Sequence, residues 1–130
     1  MQTVTRVIAT DVEPFPIYRV LADASNIPKW APVFADALEL VNPTQYQVTK
    51  NGETFALEVI LHSSAHAVDY LRHMTGGRRG GAYIRVTPRP LGGSTVIMTV
   101  PLGPGAEEAT VAETLDQELA ELVRLASSSS

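Results

Sequence analysis

The chain reads as an α+β fold, and three observations carry that reading. Between Thr3 and Val100 a series of short segments alternates apolar and polar residues, the period of half-buried strands. Most of these segments are joined by a few residues of turn chemistry. Such links connect antiparallel neighbours, because parallel pairs need long crossovers. The last stretch, Ala106 to Ala126, changes period: Val111, Leu115, Leu119, Leu122 and Ala126 recur at steps of 4, 4, 3 and 4. That spacing makes one stripe of an α-helix, with Glu107, Glu108, Gln117, Glu121 and Arg124 mostly off it. A helix of roughly 20 residues is about 30 Å long. Its stripe must be buried against the sheet.

The elements follow in order. Thr3 to Thr10 is a strand rich in β-branched residues. Pro14 and Pro16 fit only the first turn of a helix, so a helix starts near Glu13 and runs to about Ala22. Ile17, Val20 and Leu21 point inward, and Asp11 or Glu13 sits at the electropositive start. Asp23 to Pro32 forms a turn and a short second helix. Ser25 or Asn26 is its expected cap, Pro28 lies in its first turn and Pro32 stops it. Strands are expected over Ala37 to Val41, Gln45 to Lys50, Glu53 to His62, His66 to His73, Ala82 to Thr87 and Thr95 to Val100. Asn51-Gly52 marks a tight hairpin, since both residue types tolerate positive φ. The order is β-α-α-β-β-β-β-β-β-α, with no internal repeat and no linker, and Ser127 to Ser130 form a polar tail.

Composition bounds the function. A chain of 130 residues, 45% apolar and 18% charged, is that of one ordinary globular domain. The net charge of −4 argues against a nucleic-acid surface. Arg72, Arg78, Arg79, Arg85 and Arg89 are the nearest approach to a basic cluster and read as solvated charges. The absence of cysteine excludes disulfides, thiolate metal sites and cysteine nucleophiles, and fits a cytoplasmic protein. No apolar run is long enough to span a membrane, and the first residues lack the pattern of a signal peptide.

The two-helix segment Leu21-Ala22-Asp23-Ala24-Ser25-Asn26-Ile27-Pro28-Lys29-Trp30-Ala31-Pro32 resembles that of the START-like, helix-grip superfamily, the polyketide cyclase/dehydrase and lipid-transport group. Ala67-Val68-Asp69-Tyr70 and Gly80-Gly81-Ala82-Tyr83-Ile84-Arg85-Val86 are similar to its mid-sheet strands, and the element order matches over nearly the whole chain. The resemblance implies a curved antiparallel sheet of about seven strands wrapped around the C-terminal helix. The two short helices would close one end, and an apolar cavity would lie between sheet and helix. Members bind lipids, polyketides and similar molecules, and some catalyse cyclisation or dehydration. No catalytic motif is common to the superfamily, so no active site transfers and no cofactor is implied.

Which side chains reach such a cavity depends on one hairpin. Phe55, Leu57, Val59 and Leu61 share a face. If His62 pairs with His66, then Asp69, Leu71 and His73 join them. If Leu61 pairs with His66, then Val68, Tyr70 and Arg72 do instead. An inward Asp69 would need a partner, and Arg85 on the neighbouring strand is the natural one. Trp30 and Phe34, at the helical end, are expected to line the cavity. The candidate ligand-binding set is therefore Trp30, Phe34, Asp69, Tyr70, His73 and Arg85.

Other motifs carry less. His62 and His66 have a metal-like spacing but no third ligand, so no metal is expected. Thr75 to Gly81 lacks the pattern of a phosphate loop and reads as a flexible connection able to cover a cavity mouth. Ser63 and Ser64 show no nucleophile-elbow pattern. Three functions remain: a carrier of a small hydrophobic molecule, a cyclase or dehydratase using Asp69 or His73, and a solid-cored module that pairs as a homodimer.

Overall fold

The computed structural model describes residues 2–73 and 79–128. One antiparallel sheet holds seven strands in the order β1-β7-β6-β5-β4-β3-β2. They are β1 (Thr3–Thr10), β2 (Ala37–Asn42), β3 (Gln45–Lys50), β4 (Glu53–His62), β5 (Ala67–His73), β6 (Arg79–Pro88) and β7 (Ser94–Pro101). Helices α1 (Pro14–Ala22) and α2 (Ile27–Trp30) follow β1, and α3 (Glu108–Ser128) ends the chain. The α+β reading, the element order and the seven strands of the sequence analysis are all present. Strand ends differ by at most a few residues.

Proline chemistry and capping place the short helices. Pro14 and Pro16 occupy the first turn of α1, where a missing N–H costs nothing. Glu13 stands at the N-cap without capping the helix; its Oε1 instead accepts a 3.1 Å hydrogen bond from Gly93 N. Asp23 caps the 3₁₀ turn before α2, and Asn26 holds the N-cap position of α2 without a side-chain capping bond. Asp23 Oδ1 accepts from Ser25 N at 3.1 Å and from Ser25 Oγ at 2.6 Å. Asn26 donates its side-chain amide back to Val20 O at 3.2 Å, closing the joint between the helices.

Two turns set the register. Asn51 and Gly52 take φ of 52° and 80° and pair Lys50 with Glu53, the tight hairpin expected from the dipeptide. Between β4 and β5, Ser63–Ala65 forms a single 3₁₀ turn and His66 takes φ of 50°. Those four residues make the loop, so His62 pairs with Ala67. Neither register weighed from the sequence is the observed one. Its parity is nevertheless that of the second: Val59 faces Tyr70 and Leu57 faces Arg72.

The core lies between the inner sheet face and the helices. Leu57, Val68, Ile84, Val96 and Met98 of the sheet meet Ile17 and Leu21 of α1 and Leu115, Leu119, Leu122 and Ala126 of α3, all buried. The α3 stripe thus performs the packing that its spacing predicts. Arg6, on the edge strand β1, holds α3 with two hydrogen bonds to Asp116, at 2.8 and 2.9 Å.

Candidate functional site

Inner-face packing is incomplete at one end. Between β5, β6 and β7, helix α2 and the side of α3 lies a cavity of about 410 Å³. Tyr70, Ala82, Met98 and Val100 form its sheet wall; Ile27, Trp30, Ala31 and Phe34 form its helical wall. Gly80, Gly81 and the segment Pro101–Pro104 rim it, and Glu118 enters from α3. A second cavity of about 300 Å³ adjoins it, lined by Val33, Lys50, Phe55 and Leu115 among others. Phe34, Arg72 and Glu118 line both and so form the partition between them.

The backbone is what leaves this space. Gly81 sits so close to β5 that a Cβ there would lie 2.3 Å from the Tyr70 carbonyl oxygen, so only glycine permits the approach. Gly80 and Ala82 are the smallest residues available opposite Arg72 and Tyr70. Small residues on β6 facing large ones on β5 leave a hollow that α3 bridges rather than fills.

Few polar groups face the hollow. Tyr70 is buried, and its hydroxyl donates to Leu21 O at the end of α1. Burial, then the nearby Tyr46, Asp23 and Tyr18, raise the Tyr70 phenol above its ordinary value, so it stays protonated. Its hydroxyl is thus already used, and Tyr70 offers the cavity an aromatic ring. Trp30 packs tilted against that ring, with centroids 6.1 Å apart. Its Nε1 is buried and has no hydrogen-bond partner in the protein. The Arg72 guanidinium lies 4.0 Å from the Phe55 ring centroid, and Phe55 meets Phe34 edge-on at 5.4 Å. Arg72 Nε is likewise buried and unpartnered. No carboxylate among the described residues lies within ion-pair distance of Arg72. Burial pushes the Glu118 carboxyl up to about 7.

Of the candidate set, Trp30, Phe34 and Tyr70 line the cavity. Asp69, His73 and Arg85 do not. The four-residue loop puts odd-numbered residues of β5 on the outer face, with their partners Ile60, Ala56 and Ala67. The Asp69–Arg85 pair does form, at 2.7 Å, but on the side of the sheet away from the cavity. His62 Nε2 completes it, 3.0 Å from Asp69 Oδ2. Partial burial works to raise the Asp69 carboxyl, but the hydrogen bonds and charges of Arg85 and His62 outweigh it and hold it below its ordinary value. His73 Nε2 lies 3.6 Å from Glu58 Oε1 on the same outer face. His66 stands edge-on to the Tyr18 ring at 5.7 Å, away from His62. Most of the glycine-rich loop, Met74 to Arg78, lies outside the described residues.

Two charged cavity residues lie outside the candidate set of the sequence reading. Arg72 enters the sequence reading as inward only in the second register and otherwise as one of a cluster of solvated charges, whereas its Nε is buried at the cavity. Glu118 was overlooked, although it stands three residues after Leu115 and four before Leu122, squarely on the apolar stripe. A lone carboxylate in an otherwise apolar helix stripe is the signal that would have found it.

The fold recurs widely among solved structures. The chain aligns with a Mesorhizobium loti protein at a TM-score of 0.74 and 15% identity, covering 99% of each chain. A START superfamily protein of Mycobacterium smegmatis aligns at 0.63 and 14% identity, over 95% of this chain and 92% of that one. The Zhui aromatase/cyclase of a Streptomyces species aligns at 0.64 and 13% identity, over 98% and 92%. Identities this low speak for the fold alone. A comparison with curated protein sequences returns no significant match. The family model for polyketide cyclase/dehydrase and lipid transport matches residues 1–127. With that match over nearly the full length, on a sheet that grips a C-terminal helix around an apolar hollow, the chain belongs to the polyketide cyclase/dehydrase and lipid transport family.

Proposed function

We propose that the protein binds a small, mainly apolar molecule in the cavity between β5–β7, α2 and α3. The observation that carries this reading is the cavity itself: about 410 Å³, walled by Tyr70, Met98, Val100, Trp30 and Phe34, with a second hollow adjoining it. A hollow of this size matches those that hold small ligands, which lie at about 300–1,000 Å³. An apolar ligand entering it gains about 25 cal/mol for each Å² removed from water. Pocket-forming glycine and alanine on β6 support the same reading, since a structural module would fill that wall with larger side chains.

Native mass spectrometry of the protein purified from its host tests it. A stoichiometric small molecule released on denaturation is expected. Ala82→Phe, which fills the sheet wall opposite Tyr70, should release protein without that molecule. If Ala82→Phe retains the molecule, it sits elsewhere and this reading fails.

Glu118 favours a second reading, as an enzyme of the cyclase or dehydratase kind. A carboxyl that titrates near neutrality inside an apolar chamber is suited to move protons. It would take a proton from a carbon beside a carbonyl and return it to a departing hydroxyl, which leaves as water. Under this reading Glu118→Gln keeps ligand binding and loses turnover. Equal turnover by that variant would rule out Glu118 as the acid–base group and sink this reading.

A further inference from the structure

Among the described residues, Tyr70 and Glu118 are the side chains of the larger chamber that carry an acceptor oxygen. Trp30 Nε1 and Arg72 Nε are buried N–H donors with no partner in the protein, and both side chains line the larger chamber. Trp30 is only 3% exposed, and its Nε1 is covered by protein. A buried donor left unmatched costs about 1–3 kcal/mol. Two around one hollow mark a place where an outside acceptor is received.

The charge balance points the same way. Arg72 carries a full positive charge on the partition between the chambers. It has a π face beneath it, at Phe55, and no carboxylate beside it. Arg6, also on the inner face, holds Asp116 through two hydrogen bonds, and Arg85 on the outer face is matched by Asp69. Among the described residues, Glu118 is the only carboxyl lining the larger chamber, and it makes no ion pair with Arg72. Arg72 thus differs from Arg6 and Arg85, which each hold a carboxylate.

Resting on the reading of the cavity as a ligand site, we propose that its ligand is an organic monoanion: an apolar skeleton carrying one carboxylate, held by Arg72 and Trp30. The oxygens would accept from Arg72 and from Trp30 Nε1 against the inner face of β5, with the skeleton over Tyr70, Met98 and Val100. Charge-assisted hydrogen bonds of this kind are roughly twice as strong as neutral ones. Selection follows: a hydrocarbon of the same shape leaves both donors bare, and an amine meets the arginine charge head-on.

The test uses three probes on one skeleton: 2-naphthylacetate, 2-methylnaphthalene and 2-naphthylmethylamine. Binding to the full-length protein is measured by isothermal titration and by naphthalene fluorescence. The carboxylate should bind at least tenfold tighter than the hydrocarbon, and the amine should bind weakest. Arg72→Met should cost the carboxylate about tenfold and leave the hydrocarbon unchanged. Trp30→Phe, which keeps the ring and removes the N–H, should cost the carboxylate several-fold. Arg72→Lys keeps the charge without Nε, and should preserve the order of the probes even if Arg72→Met fails to fold. Equal affinity for carboxylate and hydrocarbon would overturn the monoanion and leave the cavity reading standing. No binding of any probe, at concentrations where the hydrocarbon saturates apolar cavities of this size, would overturn both.

Discussion

Two arginines one strand apart receive opposite treatment. Arg85 on β6 faces outward and is tied to Asp69 at 2.7 Å, with His62 on the other carboxylate oxygen. Arg72 on β5 faces inward, stacks on Phe55 and has no acid. The outer face is wet, where an ion pair is worth little because water competes for both charges. The inner face is dry, where an unpaired charge matters most. The chain has thus supplied a counter-charge where it contributes little and withheld one where it would contribute most. Structure alone gives no return for the inner arrangement, and a ligand's counter-charge does.

That contrast can be broken or sharpened by substitution, starting with packing. Leu57→Ala on the inner face, where the side chain is wholly buried, should cost about 3 kcal/mol in urea or guanidinium unfolding. Val7→Ala on the outer face, where the side chain is 55% exposed, should stay within about 0.5 kcal/mol. Comparable losses would mean that the outer face is covered in solution.

Gly81→Ala comes next. A Cβ 2.3 Å from the Tyr70 carbonyl must push β6 away from β5, at a cost of about 2 kcal/mol. Hydrogen exchange should localise the loosening to the β5–β6 ladder. A neutral outcome would show that the close approach does not form the cavity rim.

Glu118 gives a pH signature that the outer network lacks. Its folded-state pKa, about 7, lies above the ordinary 4.5, so the folded protein binds this proton more tightly. Stability from it is present below pH 4.5, falls as pH rises toward 7, and is fully lost above. Glu118→Gln should therefore stabilise the protein by up to about 2 kcal/mol at pH 8, and by much less at pH 4. The charged groups that bear on it are Arg72 from β5, Lys50 from β3 and Glu53 from β4, across the smaller chamber. Asp69 has the opposite sign. Its lowered pKa gives stability present above the ordinary carboxylate range and lost as pH falls through the depressed value. A flat difference between Glu118→Gln and the parent from pH 4 to 8 would mean that the carboxyl is hydrated.

The smallest effect is the outer pair. Arg85→Met should cost less than about 1 kcal/mol, and 1 M salt should erase most of it. Arg72→Met should show no such salt dependence, because it breaks no ion pair. Matching salt dependence in the two variants would mean that Arg72 has an acidic partner in solution.

Much of this architecture was legible because it rests on local chemistry. Pro14 and Pro16 announce α1, Asn51-Gly52 closes β3 onto β4, and the α3 stripe buries Leu115, Leu119 and Leu122 as its spacing demands. The caps were less legible, because Asp23, Ser25 and Asn26 are all good candidates and only the chain path decides among them. Glu13 went to Gly93, a partner 80 residues away that no local rule contains.

By itself, then, the sequence determined the α+β class, the order of the elements, which residue types share a strand face, and the aromatic lining from Trp30 and Phe34. Tertiary structure decided which face of β5 looks inward. That choice turned on the 3₁₀ turn at Ser63–Ala65 and the left-handed His66, which place His62 opposite Ala67. Strand side chains alternate with a period of two, so a one-residue slip would have exchanged Tyr70 and Arg72 for Asp69 and His73. It also decided that Glu118, a single carboxylate on an apolar stripe, meets a hollow rather than packed side chains, because small residues on β6 leave room beneath α3. Periodicity fixes which residues stand together. The length of one loop and the size of the residues opposite decide what they face.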